Sequence, residues 1–266
     1  MKRIHLFEFE DLSWFPDMLR QNMMDFLRFA ISTLRIYDPI VPLLQVLVEK
    51  STPSEILDLC SGGGGGIIGT KAKLDAALGK NVKITISDKF PNIPAFELVK
   101  QKTNGEITYI TDSVDAMDVP KNLEGCRTIF SAFHHFNPEQ ARNILADAAE
   151  KRVPIGIFEG ASKSYWEIMA AIFIFPVVFI FCTPFIKPFR LSRLFFTYFI
   201  PLIPLFTIWD GCVSILRLYS PEHLLKLTET IPAKNYAWKA GKVTHKSGAK
   251  IIYLIGFPEE EKYSAV

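Results

Sequence analysis

Through the first 160 residues, short runs of β-branched residues alternate with stretches in which apolar positions follow a helical repeat. This alternation is typical of βαβ units, in which parallel strands form a sheet covered by helices on both faces. Strands are predicted at EILDLC (55–60), VKITIS (82–87), ITYI (107–110), RTIFSAF (127–133) and PIGIFE (154–159). The pattern therefore predicts an α/β protein with a mostly parallel sheet.

Two predicted helices begin with complete capping signals. Asn137 comes directly before Pro138, and Ser220 comes directly before Pro221. An Asn or Ser side chain accepts a hydrogen bond from the first free N–H groups of a helix, and proline fits the first helical position. Beyond the second helix, two strands are predicted at YAWKAGK (236–242) and KIIYLIGFP (250–258). Gly248 lies near the tip of the segment between them, so the chain is expected to close with an antiparallel hairpin.

The first 50 residues are predicted to be mostly helical. In DMLRQNMMDFLRFAISTLRIYD the apolar positions follow the helical repeat and form a broad face. This face contains Met18, Met23, Phe26, Leu27, Phe29 and Ile31. The pattern is compatible with two interpretations, a helix that packs on the sheet and a lid over a pocket.

The segment 165–208 differs from the rest of the chain in composition. Of the 22 phenylalanines, ten lie in the stretch from 173 to 206, whose only charged residues are Lys187, Arg190 and Arg193. Five prolines interrupt the same stretch. We call residues 165–208 the apolar insertion.

The apolar insertion contains two uncharged runs, 168–186 and 194–208. As a helix, the first run is long enough to cross about 30 Å of hydrocarbon. A pair of crossings would carry the basic residues between the runs across the membrane, against the positive-inside tendency. We therefore predict a monotopic or re-entrant hairpin that keeps its basic turn at the lipid headgroups. The alternative is that the insertion is buried in a dimer interface or in the wall of a substrate tunnel.

Charge and cysteine content exclude several classes of protein. Thirty Lys and Arg residues against 28 Asp and Glu leave a net charge of +2, so no global field attracts nucleic acid. The four cysteines are far apart, and the five histidines include no pair at helical ligand spacing, so neither disulfides nor a metal is predicted. The start of the sequence has no continuous apolar core of a secretory signal. A cytoplasmic location is expected.

A glycine-rich turn directly follows the first predicted strand. ILDLC continues into SGGGGGIIGT, where backbone N–H groups and the positive end of the next helix can approach a ligand. The second strand ends at Asp88, whose carboxylate can accept hydrogen bonds from both ribose hydroxyls. A helix cap is the alternative role for Asp88. The combination predicts a nucleotide-like cofactor and would suit NAD as well.

The order of these motifs resembles the class I methyltransferases that use S-adenosylmethionine. Their first motif, an acidic residue followed by a Gly-rich turn, is similar to Asp58-Leu59-Cys60-Ser61-Gly62-Gly63-Gly64. The sequence departs from the family at Cys60, where the first glycine usually stands. The resemblance implies that Asp58, Cys60, Ser61, Gly62 and Gly64 belong to the cofactor site.

The resemblance extends to two further motifs. Asp88, with Lys89 beside it, matches the ribose-binding acid of the family, and Asp115-Ala116 resembles its adenine-side motif. Asp112 competes with Asp115 because it lies nearer the end of the third strand. The closing hairpin is similar to the antiparallel strands that distinguish this fold from the dinucleotide dehydrogenases. These similarities imply a Rossmann-like, seven-stranded fold with S-adenosylmethionine as cofactor.

Three residues are candidates for chemistry on the acceptor. His134 and His135 end the fourth predicted strand and Glu159 ends the fifth, at the edge of the sheet where ligands bind in open α/β folds. A histidine is a suitable base for a hydroxyl or amine acceptor. Successive strand residues face opposite sides, so only one histidine is expected to line the pocket. Glu159 would orient a histidine or bind the acceptor, and structural capping is the alternative role for all three.

These features predict a methyltransferase that acts on a hydrophobic acceptor, such as a lipid or quinone, at the inner face of the membrane. Two alternatives remain: methylation or cyclopropanation of an acyl chain, and a soluble small-molecule methyltransferase whose insertion forms a dimer interface. Oligomeric state is left open, and no nucleic-acid partner is expected. The predicted regions are a helical segment or lid (1–50), a cofactor-binding core (51–164), the apolar insertion (165–208) and the C-terminal part of the sheet (209–266).

Overall fold

The computed structural model describes residues 2–259, so Met1 and the last seven residues of the predicted C-terminal region lie outside it. The described chain contains seven strands: β1 (Ile56–Leu59), β2 (Ile84–Ile86), β3 (Ile107–Tyr109), β4 (Cys126–Phe130), β5 (Ile155–Glu159), β6 (Tyr236–Thr244) and β7 (Lys250–Pro258). The helices of the first half are α1 (Asp17–Leu34), α2 (Val41–Glu49), α3 (Gly65–Leu78), α4 (Ile93–Lys102) and α5 (Pro138–Glu150). Those of the second half are α6 (Tyr165–Phe173), α7 (Phe175–Cys182), α8 (Leu191–Tyr198), α9 (Leu202–Arg217) and α10 (Pro221–Thr228).

The strands form one sheet in the order β3-β2-β1-β4-β5-β7-β6. The pairs among β1 to β5 are parallel, whereas β7 runs antiparallel to both β5 and β6. Every residue of β1, β4 and β5 is buried, as expected for parallel strands covered on both faces. The predicted fold class, a mostly parallel sheet with a C-terminal antiparallel hairpin, is confirmed.

The fourth strand is shorter than the sequence pattern predicts. β4 ends at Phe130, because Ser131 takes a left-handed backbone conformation with φ of 46° and residues Phe133–His135 form a 3₁₀ turn. His134 and His135 therefore lie in a turn beyond the strand, and the alternation of sides within a strand does not apply to them. Periodicity alone could not place this end, since the segment is as apolar as the strand before it.

Both predicted helix caps are present. Asn137 accepts from the backbone N–H of Gln140 at 2.9 Å, and the Gln140 side chain accepts in return from the N–H of Asn137 at 3.1 Å. Ser220 accepts from the N–H of His223 at 3.3 Å at the start of α10. The hydrogen bonds of both caps satisfy N–H groups that a helix leaves unpaired at its first turn.

The sheet has one apolar layer on each face. Leu44 of α2, Ile67 of α3 and Phe96 of α4 are buried against one face. Ile144 of α5 and Leu224 of α10 are buried against the other. The carboxyl ends of β1, β2 and β4 remain uncovered by these layers, which leaves the edge of the sheet open for a site.

Helix α1 joins the sheet domain to the apolar insertion. Phe26 of α1 stacks on Phe179 of α7 with ring centroids 3.7 Å apart, and both side chains are buried. The outer side of the insertion is exposed: Trp166, Phe181, and Phe199 are 80%, 71% and 79% accessible. The insertion is thus a helical layer with one buried side and one exposed aromatic side.

Within residues 2–259, one helical stretch, Tyr165–Phe185, is long and apolar enough to cross a membrane. Two bent pairs satisfy the same criteria when each is taken as a single span, Asp17–Leu34 with Asp38–Glu49 and Leu191–Tyr198 with Leu202–Arg217. The bends are 65° and 80°. These properties are compatible with a membrane span or a re-entrant arrangement.

The predicted basic turn of the insertion is not a free cationic cluster. Arg193 is only 1% exposed and pairs with the carboxylate of Asp25, and Arg190 Nε lies 3.2 Å from the same carboxylate. Lys187 is exposed. The prediction that all three side chains are available to lipid headgroups is therefore wrong for Arg193, which is buried, and both Arg190 and Arg193 tie the insertion to α1.

Candidate active site

A cleft of about 400 Å³ opens at the carboxyl ends of β1, β2 and β4. This volume lies in the usual range for small-molecule and cofactor sites. The floor is formed by the glycine-rich turn after β1 and by residues 130–132 after β4. Met24, Leu27 and Ile31 of α1 form an apolar wall. Helix α1 thus covers the cleft as well as packing on the domain, which supports the lid interpretation of the N-terminal helix.

The turn after β1 has the left-handed conformations that a glycine-rich loop requires. Gly62 and Gly64 have φ of 51° and 74°, and Cys60 also has a positive φ, 53°. Cys60 therefore takes a backbone conformation that favours glycine, at the position where the sequence departs from the family motif. The burial of the Cys60 thiol raises its pKa.

The carboxylate of Asp58 stabilises this turn through hydrogen bonds. It accepts from the hydroxyls of Ser61 and Thr128, each at 2.6 Å, and the residue is 2% exposed. Burial raises the pKa of Asp58 to about 7, although the two hydroxyl donors favour the charged form. Because each oxygen accepts a hydrogen bond within the protein and the side chain is buried, we infer that Asp58 and Ser61 shape the turn.

Asp88 and Lys89 lie in the wall of the cleft. One oxygen of Asp88 accepts from the N–H of Gly62 at 3.0 Å and the other from the N–H of Phe90 at 2.9 Å. Each carboxylate oxygen retains a further lone pair for a ligand hydroxyl. Phe90 at the rim is 82% exposed, and sequence reasoning did not select it, although an aromatic residue two positions after the predicted ribose-binding acid is a signal for stacking on a planar base.

The third predicted motif lies outside the wall of the cleft. Asp112 is exposed, Ala116 is buried, and Asp115 pairs with Lys89 at 2.7 Å. Asp115 also caps the N–H of Met117 at 2.9 Å. The structure therefore connects Asp115 to the cleft through Lys89, and it gives Asp112 and Ala116 no contact with a ligand position.

His134 and Glu159 form a buried pair next to His135, behind the residues that line the cleft. The His134 ring Nδ1 lies 2.9 Å from one Glu159 oxygen, and the His134 backbone N–H donates to the other at 2.9 Å. The two residues are 5% and 4% exposed. If Nδ1 carries the proton, Nε2 is left as the basic nitrogen, and it has no hydrogen-bond partner within the described residues. The pair thus has the geometry of an oriented imidazole base.

His135, by contrast, lines the cleft and faces acidic residues of the N-terminal segment. Its Nδ1 lies 2.9 Å from Asp11 and 3.6 Å from Glu8, and its Nε2 lies 3.6 Å from Glu10. Burial alone lowers the pKa of His135, but these three carboxylates raise it to about 9. The expectation that only one histidine lines the cleft agrees with this arrangement, and His135 is held as a cation.

The protonation of His135 makes folding stability depend on pH. Because its pKa is raised above the ordinary value of about 6.5, its contribution is complete below that pH and is lost as the pH rises through about 9. We expect the free energy of unfolding to fall by roughly 1 to 3 kcal/mol between pH 6.5 and 9.5 through this group. Urea titrations of the wild type and of His135→Asn measure it. A pH dependence that is equally steep in the variant would contradict the assignment.

Glu8, a residue that sequence analysis did not select, lies fully buried between the two histidines. Glu8, His134 and His135 place one possible ligand atom each within 4.8 Å of one another, which is compatible with a metal ion. However, Arg217 Nη1 lies 2.9 Å from Glu8 and 2.7 Å from Asp11 and supplies a fixed positive charge at the same place. We assign a charge-paired network here, and the expected absence of a metal stays a prediction.

The fold was compared with known proteins. No protein-family model matches the chain, and no curated protein sequence matches it. Among solved structures, the plantazolicin methyltransferase BpumL in complex with SAH has a TM-score of 0.59 at 12% identity, with 94% of each chain covered. The mitomycin 7-O-methyltransferase MmcR has a TM-score of 0.55 at 12% identity, with 94% of this chain and 61% of that chain covered. The chain therefore has the fold of the class I S-adenosylmethionine-dependent methyltransferases, as the order of its sequence motifs predicted.

Proposed function

We propose that the protein is an S-adenosylmethionine-dependent methyltransferase that acts on a hydrophobic acceptor at the inner, cytoplasmic face of a membrane. One observation carries the enzymatic part: a single cleft contains the glycine-rich turn, Asp88 and His135, at the edge of the sheet where this fold class binds ligands. Two structural neighbours, BpumL and MmcR, are methyltransferases, and BpumL was solved with SAH. This supports S-adenosylmethionine over NAD as the cofactor.

The glycine-rich turn and the residues after the second strand bind different parts of the cofactor. Asp88 accepts hydrogen bonds from the ribose hydroxyls, and the turn at Gly62 and Gly63 gives the ligand close access to the backbone. Phe90 covers the planar base. Methyl transfer from a sulfonium is an in-line displacement with a neutral leaving group, so alignment of acceptor and methyl carbon provides much of the acceleration.

The acceptor side of the cleft supplies a base. Glu159 holds the His134 ring with Nδ1–H toward its carboxylate, so Nε2 is free to take a proton from an acceptor hydroxyl or amine. In the structure Nε2 faces Glu8 of the N-terminal segment at 3.8 Å. The segment must therefore shift, or the acceptor must enter beside it, before proton transfer.

A hydrophobic acceptor agrees with the apolar wall and with the surface around it. Met24, Leu27 and Ile31 of α1 line the cleft. Phe26 on the same helix packs against the insertion. Helix α1 thus presents apolar side chains both to the cleft and to the insertion. A membrane-bound insertion would hold the cleft close to lipid-soluble acceptors.

The function is tested in two steps. Calorimetry with S-adenosylhomocysteine and with NAD identifies the cofactor, and we expect binding of the first alone. Incubation with methyl-labelled S-adenosylmethionine and a membrane lipid extract then identifies the labelled product by mass spectrometry. Label on a quinone or lipid headgroup supports the proposal, whereas label within an acyl chain would indicate the alkene-modifying alternative. Binding of NAD alone, or cofactor binding with no labelled lipid, would contradict it.

Membrane association is expected to depend on the exposed aromatic side chains. Trp166→Ala and Phe199→Ala should each weaken binding to phospholipid vesicles by roughly tenfold or more, because burial of a large side chain contributes about 1.5 to 3 kcal/mol. Phe90→Ala is the matched control, since Phe90 is 82% exposed but lies outside the insertion. Flotation at low and high salt provides the measurement. Binding should largely persist at high salt, because Arg193 is buried and Arg190 is paired with Asp25, which leaves Lys187 as the exposed basic residue of the turn.

A soluble protein with a dimerising insertion would behave differently. It would ignore vesicles of every lipid composition, and the two insertion variants would shift its sedimentation coefficient toward that of the monomer. That pair of results would remove the membrane from the proposal and leave a soluble small-molecule methyltransferase.

A further inference from the structure

Three long cationic side chains, those of Arg20, Arg28 and Lys89, line the cleft. Arg20 directs its three nitrogens to Asp17 and to the backbone carbonyls of residues 10 and 12. Lys89 pairs with Asp115 at 2.7 Å. Arg28 is different, because all of its hydrogen bonds within the described residues pass through a single nitrogen.

The guanidinium of Arg28 is fixed with one edge toward the glycine-rich turn. Nη2 donates to Asp25 at 2.6 Å and to the carbonyl of Lys187 at 2.9 Å. Nη1 lies at Gly63, 3.7 Å from the position that a Cβ atom would take there. The residue is 8% exposed, and its exposed part lines the cleft. A rigid donor is thus presented to a ligand at the turn.

The charges around Asp25 leave this region positive. Arg28, Arg190 and Arg193 all pair with the one carboxylate of Asp25, so three positive charges meet a single negative charge. Arg193 and Asp25 are 1% and 6% exposed, and the Nε of Arg193 has no partner in the described chain. Uncompensated positive charge is unfavourable in a buried site. An anionic ligand group at Gly63 would compensate it.

The position of this donor matches one part of the proposed cofactor. Asp88 holds Gly62, and Arg28 lies at the next residue of the turn, so a ligand that extends from Asp88 across the turn meets Nη1. S-adenosylmethionine carries its only carboxylate at the end away from the adenine. Guanidinium groups bind carboxylates with charge-assisted hydrogen bonds.

We propose that Arg28 binds the carboxylate of the methionine part of the cofactor, and that Asp25 is a positioning residue through which the apolar insertion completes the cofactor site. Arg190 and Arg193 of the insertion hold Asp25, and Asp25 with the carbonyl of Lys187 orients Arg28. The insertion then contributes to cofactor binding as well as to membrane contact. This inference rests on the proposed function, since it requires S-adenosylmethionine as the ligand.

The test compares two ligands that differ at the proposed contact. S-adenosylhomocysteine has the amino-acid carboxylate, and 5′-methylthioadenosine has the same nucleoside and sulfur without it. For Arg28→Met, calorimetry should show about ten- to a hundredfold weaker binding of the first ligand and unchanged binding of the second. Arg35→Met is the matched control, because Arg35 is an exposed arginine directly after the same helix and does not line the cleft, and this variant should bind both ligands as the wild type does.

The positioning role of Asp25 is tested by the ratio of the affinities for the same two ligands. Asp25→Asn should lower the affinity for S-adenosylhomocysteine severalfold relative to that for methylthioadenosine. Arg190→Met should lower the same relative affinity to a smaller extent, because Arg190 is partly exposed. Thermal unfolding of each variant verifies the fold. Parallel losses for the two ligands would indicate a general structural effect and overturn the positioning role.

The remaining outcomes separate this inference from the proposed function. If the wild type binds both ligands and Arg28→Met leaves their affinity ratio unchanged, the carboxylate contact is wrong and the methyltransferase proposal stands. If the wild type binds neither ligand, both proposals fail together.

Discussion

Replacement of His134 by alanine is expected to lower the turnover number on the true acceptor by about 10²- to 10⁴-fold, the usual effect of losing a general base. The reason is geometric. Glu159 fixes the imidazole at 2.9 Å through Nδ1, and Nε2 has no hydrogen-bond partner within residues 2–259. Single-turnover kinetics with saturating S-adenosylmethionine measure the chemical step apart from cofactor binding.

Two further variants determine whether the effect belongs to the base or to the local structure. Glu159→Gln keeps the shape of the pair and removes its charge, so a smaller loss and a shifted pH–rate profile are expected. His135→Asn changes the histidine that lines the cleft but is held protonated by its acidic neighbours, and it should affect the rate less than His134→Ala. Near-normal turnover of His134→Ala, or the reverse order of the two histidine variants, would show that the assignment is wrong.

The sheet could be predicted from the sequence because its signals are local. Apolar runs such as ILDLC mark buried strands, and capping residues such as Asn137 mark helix starts. The glycine-rich turn was equally visible, and even Cys60 adopts the positive φ that the motif requires. Each of these features depends on a few adjacent residues, so pattern and structure agree.

The acceptor side of the cleft could not be predicted in the same way, because it is built from distant segments. Glu8 lies 126 positions before His134, and no property of its neighbours marks it as buried. Arg193 was expected at the lipid headgroups, since its sequence neighbours are apolar or basic. Its partner Asp25 lies on α1, far away in the chain. Sequence patterns indicate which residues are polar, whereas the pairing of charges follows only from the tertiary contacts.

The second large effect is expected at Asp88. Asp88→Ala should weaken the binding of S-adenosylhomocysteine by about 1.5 to 3 kcal/mol, because it removes charge-assisted hydrogen bonds to the ribose hydroxyls. Calorimetry gives the affinity. Asp88→Ala should weaken the binding of methylthioadenosine by the same amount, since both ligands carry the ribose. Arg28→Met, by contrast, should weaken the binding of S-adenosylhomocysteine alone.

A structural role of Asp88 must be separated from this effect, because its carboxylate also accepts from the backbone N–H of Gly62 at 3.0 Å. Asp88→Asn supplies the comparison: its remaining oxygen can hold Gly62 and accept from one ribose hydroxyl, while its amide NH2 group can accept neither from the Phe90 N–H nor from the second hydroxyl. If Asp88 binds the ribose, Asp88→Asn weakens ligand binding by part of the loss expected for Asp88→Ala, while the turn at Gly62 remains held. Unchanged affinity in a folded Asp88→Asn protein would limit the residue to support of the turn, and the ribose assignment would then be wrong.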